Sequence, residues 1–233
     1  MFDFIGGGML TGDKIDKEVR KGNIVIDPYD TSRINPNSYN LRLHNELLVY
    51  DRWESDIDKI RGRYNSYPKA EIVNNDEDIS PVTSSTFNNI TNLICIRNEA
   101  HKELSMEKKN NTLPVFIPPE GLILYPGVLY IGRTVERTFT DKYIPMINGR
   151  SSGGRLGMSI HICAGFGDIG FDGTWTLEIT VVEPLRVSPF AEIAQVAYFK
   201  PFGKKNILYN GRYQKQIDAT ASRFEEGKTI YRV

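Results

Sequence analysis

The chain has 233 residues, 40% of them hydrophobic and 25% charged, so it can bury the core of one domain, with or without an elaborated insert. Basic residues number 29 and acidic residues 29, and this zero net charge argues against attraction of the whole molecule to nucleic acid. The cysteines, Cys95 and Cys163, are too few and too far apart for a disulfide scaffold or a CxxC metal site.

The first predicted elements are a helix and a short strand. Residues 11–21 predict a helix, because Thr11 can cap its start and because Ile15 and Val19 share one face at i, i+4 spacing. Gly22 ends this helix. Strands are predicted next at 24–26, 37–43 and 47–50.

The middle of the chain and its C-terminal half differ in composition. Residues 52–112 are rich in Asn, Ser, Asp and Lys and predict a long insert of uncertain structure. Short β-rich runs separated by turn residues follow at 122–125, 128–133, 143–147, 158–163, 174–182 and 193–199. The pattern is typical of a mainly β protein, an antiparallel barrel or sandwich, and not of a Rossmann or P-loop fold. The polar tail, 206–233, is predicted to be a disordered terminus or a lid that orders on a ligand.

From the sequence we expect neither a membrane span nor a signal peptide. No apolar run approaches the length of a membrane span, and the N-terminus has neither the basic start nor the apolar run of a signal peptide. We therefore expect a cytoplasmic protein, or one of the host cytoplasm if its source is a virus, with no membrane and no nucleic acid as partner. A few local arginines would still allow a small anionic ligand.

The segment GRSSGGRLG at 149–157 combines glycines, serines and arginines directly after a predicted strand. Glycines let backbone N–H groups approach an anion closely, while serine hydroxyls and arginine guanidinium groups donate to phosphate oxygens. The segment therefore suits a triphosphate, although it lacks the spacing of a Walker loop. A glycine-rich turn with surface arginines explains the same residues equally well.

A second segment, AGFGDIGFDG at 164–173, predicts a glycine-rich turn with Asp168 at its centre. Its backbone could read the edge of a base, and Asp168 could accept a hydrogen bond from a sugar hydroxyl or a water. Glu178 then interrupts an apolar run, where burial would disfavour its charged form, as suits a general base. The alternative is an outward-facing residue, because Thr176 and Thr180 lie on the same strand face.

Taken in register, these segments resemble dCTP deaminases and the related trimeric dUTPases. The motifs that match in order and spacing are GRSSGGRLG at 149–157, HICA at 161–164, DIGFDG at 168–173 and LE at 177–178. The likeness continues in NSYNLRL at 37–43, EIAQ at 192–195, RYQKQ at 212–216 and the Ser222-Arg223 pair. It covers most of the chain except the insert at 52–112.

The resemblance implies a single domain over 1–233, a distorted antiparallel β-barrel of the dUTPase type that assembles as a homotrimer with active sites shared between subunits. Glu178 would activate a water for attack on C4 of cytosine in dCTP. Ser151 and Arg155 would position that water and stabilise charge, and the Ala164 backbone would orient the base. No zinc is implied, and the sequence lacks the HxE…PCxxC signature of zinc deaminases.

The resemblance also assigns the contacts to the rest of the nucleotide. Arg150 and Ser152 would contact the phosphates, and Asp168 would contact the sugar. The other contacts would come from the turn, the last strand and the tail: Gly165, Phe166, Gln195, Tyr213 and Gln216. Mg²⁺ would bind with the triphosphate and not in a protein cage.

The order Ala164-Gly165-Phe166-Gly167-Asp168 resembles members of the family that also hydrolyse dUTP to dUMP and pyrophosphate. Asp168 would then activate the water that attacks the α-phosphate. A one-step deaminase is the first alternative. A plain dUTPase would carry an apolar residue in place of Glu178 and RSGLA in place of RSSGGR. A nucleotide-binding regulator is disfavoured by Glu178, Arg155 and Ser151 together, and a nucleic-acid-binding barrel by the neutral charge.

Overall fold

The computed structural model describes residues 8–50, 112–162, 165–203 and 207–223. The predicted insert at 52–112 therefore lies outside the described residues except for Thr112, as do Cys163, Ala164 and the end of the tail. The described elements are, in chain order, α1 (Gly12–Arg20), β1 (Val25–Asp27), a 3₁₀ turn (Thr31–Arg33), β2 (Tyr39–Arg42), β3 (Glu46–Tyr50), β4 (Thr112–Phe116), β5 (Leu122–Leu124), β6 (Tyr130–Phe139), β7 (Ile144–Gly149), α2 (Ser151–Arg155), β8 (Met158–Ser159), β9 (Asp172–Val181), β10 (Leu185–Val187) and β11 (Glu192–Phe199).

The described strands form three antiparallel sheets. The largest has the order β4-β3-β6-β9-β8, with β1 paired to β6, while β2, β11 and β7 form a second sheet and β10 pairs with β5. Apolar residues of the two larger sheets, including Leu177 and Ile179 of β9 and Val196 and Tyr198 of β11, belong to one buried cluster. The mainly β, antiparallel architecture expected from the sequence is confirmed.

The predicted N-terminal helix is confirmed together with its boundaries. Thr11 caps α1 by accepting a hydrogen bond from the Lys14 N–H at 3.3 Å, and Ile15 is fully buried. Gly22, just beyond the helix, has φ of +71°, a left-handed conformation in which a side chain would be strained. No helix within the described ranges has the length and hydrophobicity needed to cross a membrane.

Several predicted strands have different limits in the structure. β6 extends to Phe139 instead of ending at residue 133, because the carboxylate of Glu136 is buried against Arg42. Within the described part of the run predicted at 158–163, the strand covers only Met158–Ser159, since the chain then turns towards β7. β4 and β10 were not among the predicted runs, because each is short and contains a proline or an arginine. The predicted phosphate loop includes a one-turn helix, α2.

Candidate active site

Glu178 lies near the middle of β9, on the face opposite to the buried Leu177 and Ile179. Its backbone N–H donates to Ile160 O at 2.8 Å, and its carboxylate Oε2 accepts a hydrogen bond from the Ile162 N–H at 2.8 Å. The side chain is half-buried. Glu178 therefore shares the outward strand face, as the alternative interpretation proposed, but it is also held against the segment that follows β8.

That segment runs antiparallel to the edge of β7. Gly165 O accepts from the Ile147 N–H at 2.8 Å, and the Gly167 N–H donates to Pro145 O at 2.9 Å. Between these two bonds the Phe166 side chain is 80% exposed. The backbone of Gly165 to Gly167 is therefore fixed by the sheet while the aromatic ring of Phe166 projects into solvent, free to contact a planar ligand.

Asp168 lies at the tip of the following turn and is exposed. The Phe171 N–H donates to Asp168 O at 3.2 Å, and the Gly170 N–H donates to Thr140 O at 2.9 Å. Gly170 adopts φ of +91°, which favours glycine at the bend. Hydrogen bonds from the backbone thus shape this turn, and the Asp168 carboxylate makes no hydrogen bond or ion pair with any other described residue.

The residues of α2 present their side chains to solvent. Ser151, Ser152 and Arg155 are exposed, and none of them forms a side-chain hydrogen bond or ion pair with another residue in the described ranges. The helix ends before Gly157, which has φ of +80° and packs so closely on Val182 that a Cβ there would lie 2.2 Å from Val182 Cγ2. In particular, nothing in the described part of the chain joins Ser151 or Arg155 to Glu178.

Arg150 precedes α2 and is tied to β11. Its Nη1 donates to Glu192 Oε2 at 2.9 Å and to Glu192 O at 3.2 Å. Glu192 Oε2 also accepts from Asn40 Nδ2 at 2.9 Å. The guanidinium carries five N–H donors, so the Nε and Nη2 groups stay available for a ligand.

Gln195 lies in the same sheet, in register between Asn40 and Asn148. Its Oε1 accepts from Ser38 Oγ at 2.8 Å, and its Nε2 donates to Gly149 O at 3.0 Å. Gln195 and Arg150 therefore flank the end of β7, directly before α2. Sequence reasoning did not find Ser38, Asn40 or Glu192, although the alternation of polar residues in NSYN at 37–40 was a usable signal.

The tail packs on β9 of its own chain. Gln216 Nε2 donates to Thr174 O at 2.9 Å and to Thr176 Oγ1 at 3.1 Å, and the Thr174 N–H donates to Gln216 O at 2.9 Å. Tyr213 accepts a hydrogen bond from the Arg223 N–H at 3.2 Å, and the Arg223 guanidinium lies 5.5 Å from the centre of the Tyr213 ring. Within the described ranges, no hydrogen bond or ion pair connects Tyr213 or Gln216 to Arg150.

The predicted site residues thus fall into three groups that no side-chain hydrogen bond or ion pair joins within the described residues. Glu178 lies with the turn that carries Gly165, Phe166 and Asp168. A second group surrounds the end of β7 and consists of Arg150, Ser151, Ser152, Arg155 and Gln195. The third group is the pair Tyr213 and Gln216 in the tail, while Ala164 lies outside the described residues.

Comparison with known proteins gives consistent matches. A family model described as dCTP deaminase-like matches residues 9–86 and 82–200. A protein of Cytophaga hutchinsonii named "dCTP deaminase, dUMP-forming" is 44% identical over 206 residues, 88% of this chain and 90% of that protein. A protein of the same name from Hathewaya histolytica is 41% identical over 214 residues, which cover 92% of this chain and 95% of the relative.

A solved structure gives a match at the level of the fold. The 2'-deoxycytidine 5'-triphosphate deaminase of Agrobacterium tumefaciens superposes with a TM-score of 0.50 at 18% sequence identity. The match covers 84% of this chain and 49% of that one, so the chain spans about half the length of the solved protein. From the family model and the identity to its full-length relatives, the chain belongs to the dCTP deaminase-like family.

Proposed function

We propose that the protein hydrolyses dCTP to dUTP and ammonia and then hydrolyses dUTP to dUMP and pyrophosphate. The names and the 41–44% identity of the relatives support both steps. The observation that carries the proposal is the placement of Glu178. One of its carboxylate oxygens is held by the Ile162 N–H, and the side chain faces the segment that leads into the turn bearing Asp168.

In the first step Glu178 acts as the general base. It takes a proton from a water whose oxygen forms a bond to C4 of the cytosine ring. Glu178 then delivers the proton to the exocyclic nitrogen, and the C4–N bond breaks as ammonia leaves. The second proton of the water passes from the C4 hydroxyl to N3 as the carbonyl of uracil forms. Since Oε2 already accepts from the Ile162 N–H, the other carboxylate oxygen is proposed to handle the proton.

The base is bound by the segment after β8. The backbone of Gly165, which is fixed on the edge of β7, and the exposed ring of Phe166 offer a polar edge and a flat apolar surface. A pyrimidine ring requires this combination for orientation and stacking. Ala164 is proposed to add a backbone contact to the water and the base.

Ser151 and Arg155 are proposed to reach the reacting centre from a neighbouring subunit. Their side chains are exposed and unbound in the described part of their own chain, as expected for residues that complete a site elsewhere. A homotrimer with shared active sites is proposed to supply this neighbour. The two larger sheets and their common core suit a distorted barrel of the dUTPase type as the subunit of this trimer.

The triphosphate is proposed to lie against the end of β7. Arg150 and Ser152 donate to phosphate oxygens there, Gln195 orients the adjacent backbone, and Tyr213 and Gln216 approach when the tail moves. None of these five side chains is a carboxylate, so Mg²⁺ would be held by the phosphate oxygens rather than by these side chains. When bound there, Mg²⁺ neutralises phosphate charge.

In the second step Asp168 takes a proton from a water whose oxygen attacks the α-phosphorus. The bond from the α-phosphorus to the bridging oxygen breaks, and pyrophosphate leaves with dUMP as the other product. Asp168 is exposed at the tip of its turn and forms no side-chain hydrogen bond or ion pair with another described residue, so its carboxylate is accessible to a water on the ligand. A sugar hydroxyl is its second proposed partner.

Product analysis tests the proposal. Purified protein given dCTP and Mg²⁺ should release ammonia, dUMP and pyrophosphate in equal amounts. Glu178→Gln should lower ammonia release by about 100-fold or more, because the proton acceptor is lost while the shape is kept. Glu183→Gln, an exposed residue just beyond β9, is the matched control and should behave as wild type.

The possible outcomes separate the alternatives. If wild-type protein leaves dCTP untouched, or if the Glu178 variant stays fully active, the proposed deamination is wrong. If dUTP accumulates without dUMP, the first step stands and the second does not. A protein that converts only dUTP would be a plain dUTPase.

A further inference from the structure

We propose that Trp175 is a positioning residue that fixes the turn carrying Asp168 and thereby supports the hydrolysis of dUTP more than the deamination of dCTP. Trp175 lies on β9, three residues before Glu178, on the strand face that continues into the core. The inference rests on the proposed second step. It is carried by the contacts of the indole ring on both sides of Asp168.

On one side of Asp168 the indole covers Gly167. A Cβ at Gly167 would lie 2.3 Å from Trp175 Cη2 and 2.8 Å from Pro145 Cγ, so only glycine fits between these two rings. The Gly167 N–H also donates to Pro145 O at 2.9 Å. The backbone that leads into Asp168 is therefore clamped between β7 and the indole.

On the other side the indole packs against Phe171. The two ring centres are 4.5 Å apart, and the Phe171 N–H donates to Asp168 O at 3.2 Å, which closes the turn. Residue 167 and residue 171 therefore rest on the same side chain. Movement of Trp175 would remove one support from both ends of the turn at once, while the hydrogen bonds to Pro145 O, Thr140 O and, from the Tyr209 N–H, to Ile169 O would remain.

Trp175 is itself anchored to β6. Its Nε1–H donates to Thr138 Oγ1 at 2.8 Å, and its backbone N–H donates to Thr134 Oγ1 at 3.0 Å. Both threonines are buried, Thr134 completely. Because a buried indole N–H without an acceptor is costly, the hydrogen bond to Thr138 fixes the orientation of the ring.

These contacts act differently on the two proposed steps. Asp168 has no side-chain partner among the described residues, so its position is set by the backbone on which Trp175 acts. Glu178 is held separately, through the Ile162 N–H. Misplacement of a catalytic group by about 1 Å can cost about 100-fold in rate. Loss of the indole should therefore impair the step that uses Asp168 most.

The experiment measures both steps in three single variants and in one control variant. Ammonia release from dCTP and pyrophosphate release from dUTP are compared in wild type, Trp175→Phe, Thr138→Val and Asp168→Asn. We expect Trp175→Phe to lower kcat for pyrophosphate release about 10-fold and kcat for ammonia release less than about 3-fold, so that dUTP accumulates from dCTP. Thr138→Val keeps the ring but removes its anchor, and it should shift the products in the same direction by less. Phe202→Leu, at a side chain that is 90% exposed, is the control and should match wild type.

A double variant distinguishes positioning from a general structural role. If Trp175 acts through Asp168, Trp175→Phe combined with Asp168→Asn should release pyrophosphate no more slowly than Asp168→Asn alone. Losses that multiply, or an equal loss of both steps, would overturn the inference. If Trp175→Phe does not fold, an unchanged product ratio in Thr138→Val overturns it equally. Wild-type protein that forms dUTP but no dUMP would instead refute the proposed second step, and this inference with it.

Discussion

Arg150 is held by its own chain in a way that suits a phosphate contact. One end of its guanidinium is fixed on the carboxylate and the carbonyl of Glu192, which leaves Nε and Nη2 without a partner among the described residues. Arg33 lies 3.9 Å from the other carboxylate oxygen of Glu192, so the acid is shared between two arginines. Glu192 therefore orients Arg150, but its single negative charge does not neutralise both Arg150 and Arg33.

Replacement of Glu192 tests this role. Glu192→Ala should raise KM for dCTP about 3- to 10-fold with little change in kcat, because a freely rotating Arg150 must be ordered again whenever a triphosphate binds. Glu192→Gln keeps an acceptor for Arg150 and should restore most of the affinity. Steady-state kinetics at constant ionic strength provide both constants. Equal KM values in wild type and Glu192→Ala would show that Arg150 needs no such support.

At the scale of single residues, the sequence motifs predict candidate site residues but not the residues that hydrogen-bond to them. The motifs predicted Arg150 and Gln195 as site residues, yet Glu192 and Ser38, which orient them, are recognisable only from the fold. Ser38 and Gln195 are 157 positions apart in the chain, and Asn40 and Glu192 are 152 apart. Such contacts depend on the pairing of β2 with β11, which the spacing of polar residues does not encode.

Helices and strands that bury an apolar face can be predicted from the sequence. Segments that depend on buried polar contacts cannot. The helix α1 and the strand β9 follow the periodicity of their apolar residues. β6 was predicted to end too early because its second half contains Glu136, which is fully buried. That burial is possible because Arg42 donates to both carboxylate oxygens through its Nε and its backbone N–H, at 2.7 and 2.8 Å.

The short helix α2 is a case in which the sequence predicts a loop and the structure has a helical turn. Its glycines predict a loop, since glycine is a poor helix former. A single turn nevertheless forms, with the Gly154 N–H donating to Arg150 O at 3.0 Å, because the strand before it and the packing of Gly157 on Val182 fix both of its ends. Tertiary contacts therefore decide the conformation of the segment that bears Ser151 and Arg155.

Helix α1 contains a buried carboxylate, Glu18, with 3% of its surface exposed. It accepts a hydrogen bond from Asn23 at 2.6 Å and pairs with Lys14 at 3.0 Å and with Lys21 at 3.3 Å. Burial alone would raise its pKa, but the hydrogen bonds from Asn23, Lys14, Tyr143 and Lys21 together outweigh burial and lower the pKa from 4.5 to about 2. The ionised carboxylate thus ties α1 to the following loop and to Tyr143.

This lowered pKa makes the contribution of Glu18 dependent on pH. A carboxyl whose pKa falls on folding stabilises the protein above its unfolded value of 4.5, and this stabilisation is lost as pH drops from 4.5 towards about 2. Glu18→Gln should therefore lower the free energy of unfolding by about 1–3 kcal/mol at pH 7. The difference from wild type should shrink at pH 3. Urea unfolding at both pH values measures it, and a difference independent of pH would contradict the assignment.

At the scale of the whole molecule, the predicted site residues belong to groups that no side-chain hydrogen bond or ion pair joins within the described part of the chain. Glu178 lies on β9 and Asp168 on the turn before it, whereas Ser151 and Arg155 lie on α2, exposed and with no side-chain hydrogen bond or ion pair to either of them in the described part of the chain. Exposed apolar side chains, Leu156 after α2, Val182 after β9 and Ile162 before the turn, accompany both groups. A neighbouring subunit that covers these side chains would also complete the site, because both groups lie next to them in the chain.

Mixed trimers of two inactive variants test this arrangement. Glu178→Gln and Arg155→Ala should each be inactive alone, since every site then lacks one essential group. Coexpression with two different affinity tags and purification over both yields trimers that contain both variants. If Glu178 of one subunit works with Arg155 of its neighbour, each mixed trimer regains about one intact site in three, because only one of its three interfaces joins the two unmodified residues. Ammonia release should therefore return to about a third of the wild-type rate.

Mixed trimers that stay inactive would place Glu178 and Arg155 in the same subunit's site, and a monomeric mass in light scattering would refute the shared site directly.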